Sequence, residues 1–182
     1  MNAQPSPEDA RRILIACIGN IFMGDDGFGV EVARRLANRK ANRYPPGVEI
    51  VDFGIRGVDL AYTLLDEYDT LILVDAVARG GEPGTLYLIE PDLSAFSART
   101  GVEAARVGLD AHSMDPLKVL AFARTLGARP VRTLLVGCEP SVLHTNEDYL
   151  DMHMGLSQPV EAAVDEAVKM VDSLVGQLLA SE

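Results

Sequence analysis

A six-residue apolar run that leads into an acidic, glycine-rich turn limits what this chain can fold into more than any other feature. Residues Ile13–Ile18 carry no charged side chain, which is typical of a strand buried on both faces of a sheet. The run breaks at Gly19, and Gly24–Gly27 (GDDG) predicts a tight turn. From Phe28 onward the apolar period changes to that of a helix. A buried strand, a loop and a helix in this order are half of a parallel strand–helix–strand unit.

The same alternation of strand and helix continues to the end of the chain. Further strands are predicted at Val48–Phe53, Thr70–Val74, Thr85–Ile89 and Val131–Val136. The strand Thr70–Val74 should stop abruptly at Asp75. The strand Thr85–Ile89 should be an edge or antiparallel strand because no helix separates it from the strand before it. Four helices are predicted. Three of them cover 28–39, Pro116 to about Gly127, and 160–178 with Pro159 in its first turn. The fourth follows the second strand and is indicated by the helical spacing of Val58, Leu60, Ala61, Leu64 and Leu65.

Length and composition favour one domain. With 182 residues, of which 48% are hydrophobic, the chain can bury one substantial core but not two. The predicted fold is α/β: a three-layer sandwich with a twisted, mostly parallel sheet of about five strands flanked by helices. Residues 11–182 should form this domain, and residues 1–10 should be a polar, disordered leader.

Charge and cysteine content narrow the function classes. The net charge of -11, from 27 acidic and 16 basic residues, argues against a nucleic-acid or membrane partner because both favour basic surfaces. No apolar stretch approaches the roughly 20 residues that cross a bilayer, and the first ten residues do not form a secretory signal. Cys17 and Cys138 are expected to be small, buried side chains, as is usual in a cytoplasmic protein. The protein is also expected to be a monomer.

Three residues could form a metal site at one edge of the sheet. Asp26 follows the first strand, Asp75 ends the third, and His112 precedes a helix. Because the carboxyl ends of parallel strands share an edge, these residues can meet, and two carboxylates with an imidazole suit an open divalent-metal site. The alternative is that the aspartates form turns or cap helices and that His112 caps a helix or lies at the surface. His144 and His153 are expected to face solvent.

Other chemistries find less support. The loop GNIFMGDDG is neither a GxGxxG nor a P-loop sequence, and no GxSxG elbow is present. Cys17 lies within an apolar run, where the thiol pKa should rise and its nucleophilicity should fall.

Six short motifs together point to a known family. In chain order they are GNIFMGDDGFGV (19–30), VDFG (51–54), LVDAV with the later PGT (73–77 and 83–85), DAHS (110–113), VGCEP (136–140) and MGLS (154–157). Their order resembles that of the maturation endopeptidases of nickel–iron hydrogenases, and the resemblance spans residues 11–178.

This resemblance implies a peptidase that removes a short C-terminal extension from a hydrogenase large-subunit precursor after nickel insertion. The family's fold is a twisted sheet between helices, and its metal-recognition residues match Asp26, Asp75 and His112. Family members have Glu or Asp at the first of these positions, and the Asp here is one methylene shorter. The nickel is supplied by the precursor and not held by the free enzyme. Asp52 and Gly54 are candidates for positioning the extended tail, with a strand-ending turn as the alternative.

The resemblance leaves the catalytic step and some roles open. Nickel, or water activated by it, could polarise the scissile carbonyl, or one carboxylate could act as general base; no catalytic residue beyond the metal-site residues is assigned. The loop over 141–154 is long for the family, so its part in precursor docking is open. Two rival functions remain, namely a zinc or manganese hydrolase for small substrates and a non-enzymatic nickel-binding chaperone.

Overall fold

A computed structural model describes residues 11–39, 44–92, 116–141 and 153–181, and the predicted leader lies outside these ranges. In chain order the elements are β1 (Ile13–Ile18), a 3-10 turn (Gly24–Gly27), α1 (Phe28–Ala37), β2 (Val48–Gly54), α2 (Gly57–Thr63), a 3-10 turn (Leu64–Asp66), β3 (Thr70–Ala76), β4 (Leu86–Ile89), α3 (Pro116–Thr125), β5 (Arg132–Cys138) and α4 (Gln158–Ala180).

The strands form one mostly parallel sheet in the order β2-β1-β3-β5-β4. β1 pairs in parallel with β2 and β3, and β3 pairs in parallel with β5. β4 is antiparallel to β5 and lies at the edge of the sheet. The predicted α/β class is therefore confirmed, and each predicted strand occurs with bounds within two residues of those expected.

The expectation that Asp75 stops the third strand is wrong. β3 continues to Ala76, and Asp75 pairs with Gly137 of β5. The pairing continues because β5 runs to Cys138, two residues past its apolar run, and ladder hydrogen bonds use backbone groups that Asp supplies as well as any residue. Asp75 thus lies in a strand, which fixes its position more firmly than a loop would.

Helices cover both faces of the sheet, in which β1 lies between β2 and β3. All six residues of β1 are buried. Ile13, Ile15 and Cys17 face the layer that contains α1 and α4. Leu14 and Ala16 face the layer that contains α2 and α3. The apolar run is therefore buried on both faces because each face carries its own helical layer, as the pattern predicts.

The strand order creates a crevice between β1 and β3. From β1 the chain passes through α1 to β2 on one side, and from β2 it returns through α2 on the opposite face to β3. Connections that leave in opposite directions open a crevice at the carboxyl ends of the two strands, where α/β proteins bind their ligands. The acidic turn directly follows β1, and Asp75 lies near the end of β3, so both border this switch point.

The first turn of α1 packs directly on the strand ends at this switch point. A Cβ atom added to Gly29 would lie 2.1 Å from the carbonyl oxygen of Ile18 and 2.4 Å from that of Val74. No side chain fits at such distances, so only glycine lets α1 approach both strands.

We predict opposite effects for two helical glycine substitutions. Gly29→Ala should lower the free energy of unfolding by about 1–3 kcal/mol because the new methyl group forces α1 away from β1 and β3. Gly176→Ala in α4, where an added Cβ meets nothing within 4 Å, should raise it by about 0.5–1 kcal/mol. Chemical denaturation of both variants measures the difference. Equal effects would contradict the close packing of α1.

Candidate active site

Asp26 lies in the 3-10 turn between β1 and α1, where the backbone of the same loop holds it. The Asn20 amide donates to Oδ2 of Asp26 at 2.9 Å and to its carbonyl oxygen at 3.1 Å. The carboxylate is half-buried, and burial raises its pKa above the ordinary value, although the hydrogen bond from Asn20 opposes this. The protein therefore fixes a partly desolvated carboxylate at the mouth of the crevice.

Asp75 approaches the same crevice from β3. It is 9% exposed, and the Ala76 amide donates to its Oδ1 at 2.8 Å. By strand alternation it shares the side of Leu71 and Leu73, which face α2 and α3. The acidic turn packs against β3, so Asp26 and Asp75 both lie at the carboxyl edge of the sheet, beside the switch point.

The third predicted residue, His112, lies outside the described residues. Within the residues that the structure describes, no three His, Cys, Asp or Glu side chains converge as a metal site. The proposed three-residue site therefore stays a prediction. His144 also falls outside the described ranges, whereas His153 is exposed, as predicted.

Asp25, the other acid of the turn, has a different task. It is 4% exposed, and it accepts hydrogen bonds from the Ser141 amide at 2.8 Å and from the Ser157 amide at 2.6 Å and hydroxyl at 2.9 Å. The neighbouring Gly24 amide donates to the carbonyl oxygen of His153 at 2.7 Å. Asp25 thus fastens the turn to the chain after β5 and to the start of α4.

Asp25 lies in the predicted turn, but its contacts reach beyond it. It does not cap α1, whose N-cap residue, Gly27, makes no side-chain cap hydrogen bond. Asp25 instead binds Ser157, the N-cap residue of α4. One indication of this contact was present in the sequence: the GDDG turn and the MGLS segment, which contains Ser157, are both among the motifs shared with the hydrogenase maturation endopeptidases.

Asp52 and Gly54 end β2 at the same edge of the sheet. The Gly54 amide donates to Oδ1 of Asp52 at 2.9 Å, and Gly54 adopts φ of 53°, which favours glycine. The carbonyl oxygen of Gly54 accepts a hydrogen bond from the Gly19 amide at 3.0 Å. The pair therefore forms a strand-ending turn and also anchors the start of the acidic loop.

Glu139 was not singled out as a functional residue from the sequence. It is 4% exposed, and it accepts hydrogen bonds from the amides of Arg79 and Gly80 and from the Tyr87 hydroxyl at 2.8 Å. Burial raises its pKa, but these hydrogen bonds outweigh burial and bring the pKa below the ordinary value. Glu139 holds the loop that follows Asp75, which helps to fix the second carboxylate of the crevice.

Neither cysteine is suited to nucleophilic chemistry. Cys17 and Cys138 are both buried and free. Burial raises the pKa of Cys17 well above its ordinary value and that of Cys138 to about 12. Both thiols stay protonated near neutral pH, as the sequence predicts for Cys17.

Comparison with known proteins identifies the family. The family model described as hydrogenase maturation protease matches residues 30–174. The chain belongs to this family. The hydrogenase expression/formation protein HupD of Rhizobium leguminosarum bv. viciae is 34% identical over 172 residues, which cover 92% of this chain and 77% of that protein.

Solved structures agree with this assignment. The hydrogenase maturating endopeptidase HybD of Escherichia coli superposes with a TM-score of 0.67 at 28% identity, covering 91% of this chain and 93% of that one. A hydrogenase 2 maturation peptidase from Thaumarchaeota archaeon SCGC_AB-539-E09 gives a TM-score of 0.62 at 30% identity, covering 91% and 99%. The hydrogenase maturation protease is thus a peptidase with the expected fold. Among the described residues, no helix is long and apolar enough to span a membrane.

We predict that the two adjacent acids differ sharply in their effect on stability. Asp25→Asn should lower the free energy of unfolding by about 2–3 kcal/mol, because its amide group would face the Ser141 and Ser157 donors and leave one unsatisfied. Asp26→Asn keeps an oxygen for the Asn20 amide, so its cost should stay below about 1 kcal/mol. Urea denaturation of the two isosteric variants tests this. A larger loss for Asp26→Asn would contradict the assigned roles.

Proposed function

We propose that this protease removes the C-terminal extension of a nickel-loaded hydrogenase large-subunit precursor and that it recognises the precursor's nickel through Asp26, Asp75 and His112. The observation that carries the proposal is the placement of Asp26 and Asp75 on either side of the switch point. The enzyme acts in this proposal as a cytoplasmic monomer, and the nickel belongs to the substrate.

The state of Asp26 favours contact with a cation. Burial raises its pKa because the charged form loses solvation. A divalent ion in the crevice would stabilise the charged form of this carboxylate by direct electrostatic attraction. Asp75, only 9% exposed, is similarly shielded from water. Two such carboxylates supply oxygen ligands while leaving other positions of the ion to the substrate.

Chain topology supports His112 as the third ligand. α3 ends at Thr125 and is joined by a short connection to β5, which begins at Arg132 and runs parallel to β3. A helix in such a crossover runs against the strands, so α3 begins at the carboxyl edge, where Asp26 and Asp75 lie. His112 precedes Pro116, the first residue of α3, by four positions, and on this ground the proposal assigns it to that edge.

These ligands would make nickel the specificity check. In the precursor the ion is held by cysteine thiolates, which are soft ligands suited to it, and the protease adds carboxylate and imidazole groups. A precursor without nickel would bring no cation to the two carboxylates and would bind weakly. Cleavage would therefore follow metal insertion without any separate signal.

Two routes for peptide-bond cleavage are compatible with these residues. The nickel, or a water molecule activated by it, could polarise the scissile carbonyl and stabilise the oxyanion. Alternatively, a carboxylate could act as general base; Asp26 is the better suited because its raised pKa strengthens it as a base.

Asp52 and Gly54 would guide the tail beside this centre. The hydrogen bond between Gly19 and Gly54 places the end of β2 next to the start of the acidic loop. Asp52 is exposed and lies on the edge strand, where an extended peptide can approach it.

Three substitutions test the site. Asp26→Asn, Asp75→Asn and His112→Ala should each reduce cleavage of the nickel-loaded precursor by at least about 100-fold while the proteins remain folded, because each removes one ligand of the substrate metal. The mass of the large subunit before and after incubation measures cleavage, and circular dichroism reports folding. Asp165→Asn is the matched control, since this exposed carboxylate on α4 forms an ion pair with Arg35 and is not part of the proposed site.

The outcomes separate the proposal from its rivals. Normal cleavage by all three variants would contradict the site, and equal cleavage of nickel-loaded and nickel-free precursor by the unaltered enzyme would contradict metal recognition. Binding without a change in mass would indicate a chaperone. Tightly retained zinc or manganese with cleavage of generic peptides would indicate a resident-metal hydrolase.

A further inference from the structure

α2 and the residues beside it carry two apolar rows, of which only one is buried. The buried row, Leu60, Ala61 and Leu64, packs against the sheet and α3. The second row faces solvent with exposed fractions of 58, 40, 55 and 38%, and it consists of Ile55, Val58, Tyr62 and Leu65. A separation of four residues places Val58 and Tyr62 on one face of α2. Ile55 lies in the turn before the helix and Leu65 in the 3-10 turn after it. We name this row the α2 stripe.

The α2 stripe is continuous with the loop that carries Asp26. Ile55 directly follows Gly54, whose carbonyl oxygen binds the Gly19 amide at 3.0 Å. Two and three residues beyond Gly19, the exposed side chains of Ile21 (44%) and Phe22 (48%) extend the apolar surface toward the acidic turn. The surface therefore begins at the crevice and runs along α2 away from it.

Such a surface is unusual on this protein. Of the ten large hydrophobic side chains exposed among the described residues, six lie on the α2 stripe or the adjoining loop. The chain as a whole is strongly acidic, with a net charge of -11, and the long α4 buries its apolar face against the sheet. Clustered exposed apolar side chains on a water-soluble surface mark sites of protein contact.

We propose that the α2 stripe is a docking surface for the hydrogenase large-subunit precursor, which it contacts through an apolar protein surface beside the precursor's metal. The occupant follows from continuity, because a substrate whose metal reaches Asp26 must also cover Ile21, Phe22 and the nearby end of the stripe. Substrate identity rests on the proposed function. Three metal ligands and a narrow tail bury little area, whereas specific protein complexes bury about 800 Å² on each partner. The stripe supplies the additional area.

This position defines what the stripe contributes to catalysis. Its side chains lie outside the crevice and contact the substrate equally before and during bond cleavage. Interactions of this kind lower KM and leave kcat unchanged. The stripe is therefore a determinant of affinity and of partner choice, while the acids of the crevice act on the reacting region.

A double variant with a matched control tests the docking surface. Val58→Ser combined with Tyr62→Ser should raise KM for the nickel-loaded precursor by about tenfold or more, with kcat within about twofold of the unaltered enzyme. Leu88→Ser is the control, because Leu88 is 51% exposed on β4, at the opposite edge of the sheet from β2. It should leave both constants unchanged. Urea denaturation verifies that all proteins are folded.

Several results would overturn the proposal. An unchanged KM in the double variant would do so, as would an equal rise in KM for Leu88→Ser. If sedimentation shows a dimer that the double variant dissociates without a change in KM, the stripe joins two copies of this chain. If the double variant loses stability but not affinity, the stripe packs against this chain itself. Failure of nickel recognition is a separate result, seen as normal cleavage by Asp26→Asn alongside a raised KM in the double variant.

Discussion

Close packing of the first turn of α1 against the ends of β1 and β3 is the constraint on which the site depends. At Gly29, α1 lies so close to the carbonyl oxygens of Ile18 and Val74 that no side chain fits between them. This contact fixes the start of α1 over the switch point, and the acidic turn comes directly before it. The position of Asp26 relative to β3 is therefore set by backbone packing and not by side-chain flexibility.

The two adjacent acids of the turn lie in different environments. Asp25 is buried and its oxygens accept hydrogen bonds from Ser141 and Ser157, so it holds the turn against distant parts of the chain. Asp26 makes one side-chain hydrogen bond, to the Asn20 amide, and remains partly open at the crevice. A carboxylate that is already satisfied by protein donors has little to gain from a metal, whereas a desolvated one gains much. This contrast supports Asp26 as the metal-facing residue.

Local patterns in the sequence predict a large part of this arrangement. The apolar run of β1, the GDDG turn and the helical period after Phe28 predict the first unit correctly, because each depends on neighbours in sequence. The strand order depends on pairing between strands that are distant in sequence, and the partners of Asp25 lie 116 and 132 residues away from it. No local pattern encodes either. The end of β3 was misplaced because backbone pairing with β5 continues past the apolar run.

The sequence pattern of α2 also shows that local spacing does not reveal which residues are buried. Helical spacing predicted the helix, but it could not separate the buried Leu60 and Leu64 from the exposed Val58 and Leu65. Only the packing of α2 on the sheet decides which row is covered. Strand ends and family resemblance predict Asp75 and His112 as partners of Asp26, and the switch point explains why Asp75 lies at the same edge of the sheet as the acidic turn.

The central claim is that Asp26, Asp75 and His112 bind the nickel carried by the precursor. Nickel X-ray absorption of a nickel-loaded precursor with a cleavage-resistant tail, measured alone and in complex with the protease, tests it most directly. The spectrum should gain oxygen and nitrogen ligands on complex formation, and Asp75→Asn should reduce the oxygen contribution. An unchanged nickel spectrum in a complex that demonstrably forms would contradict the account.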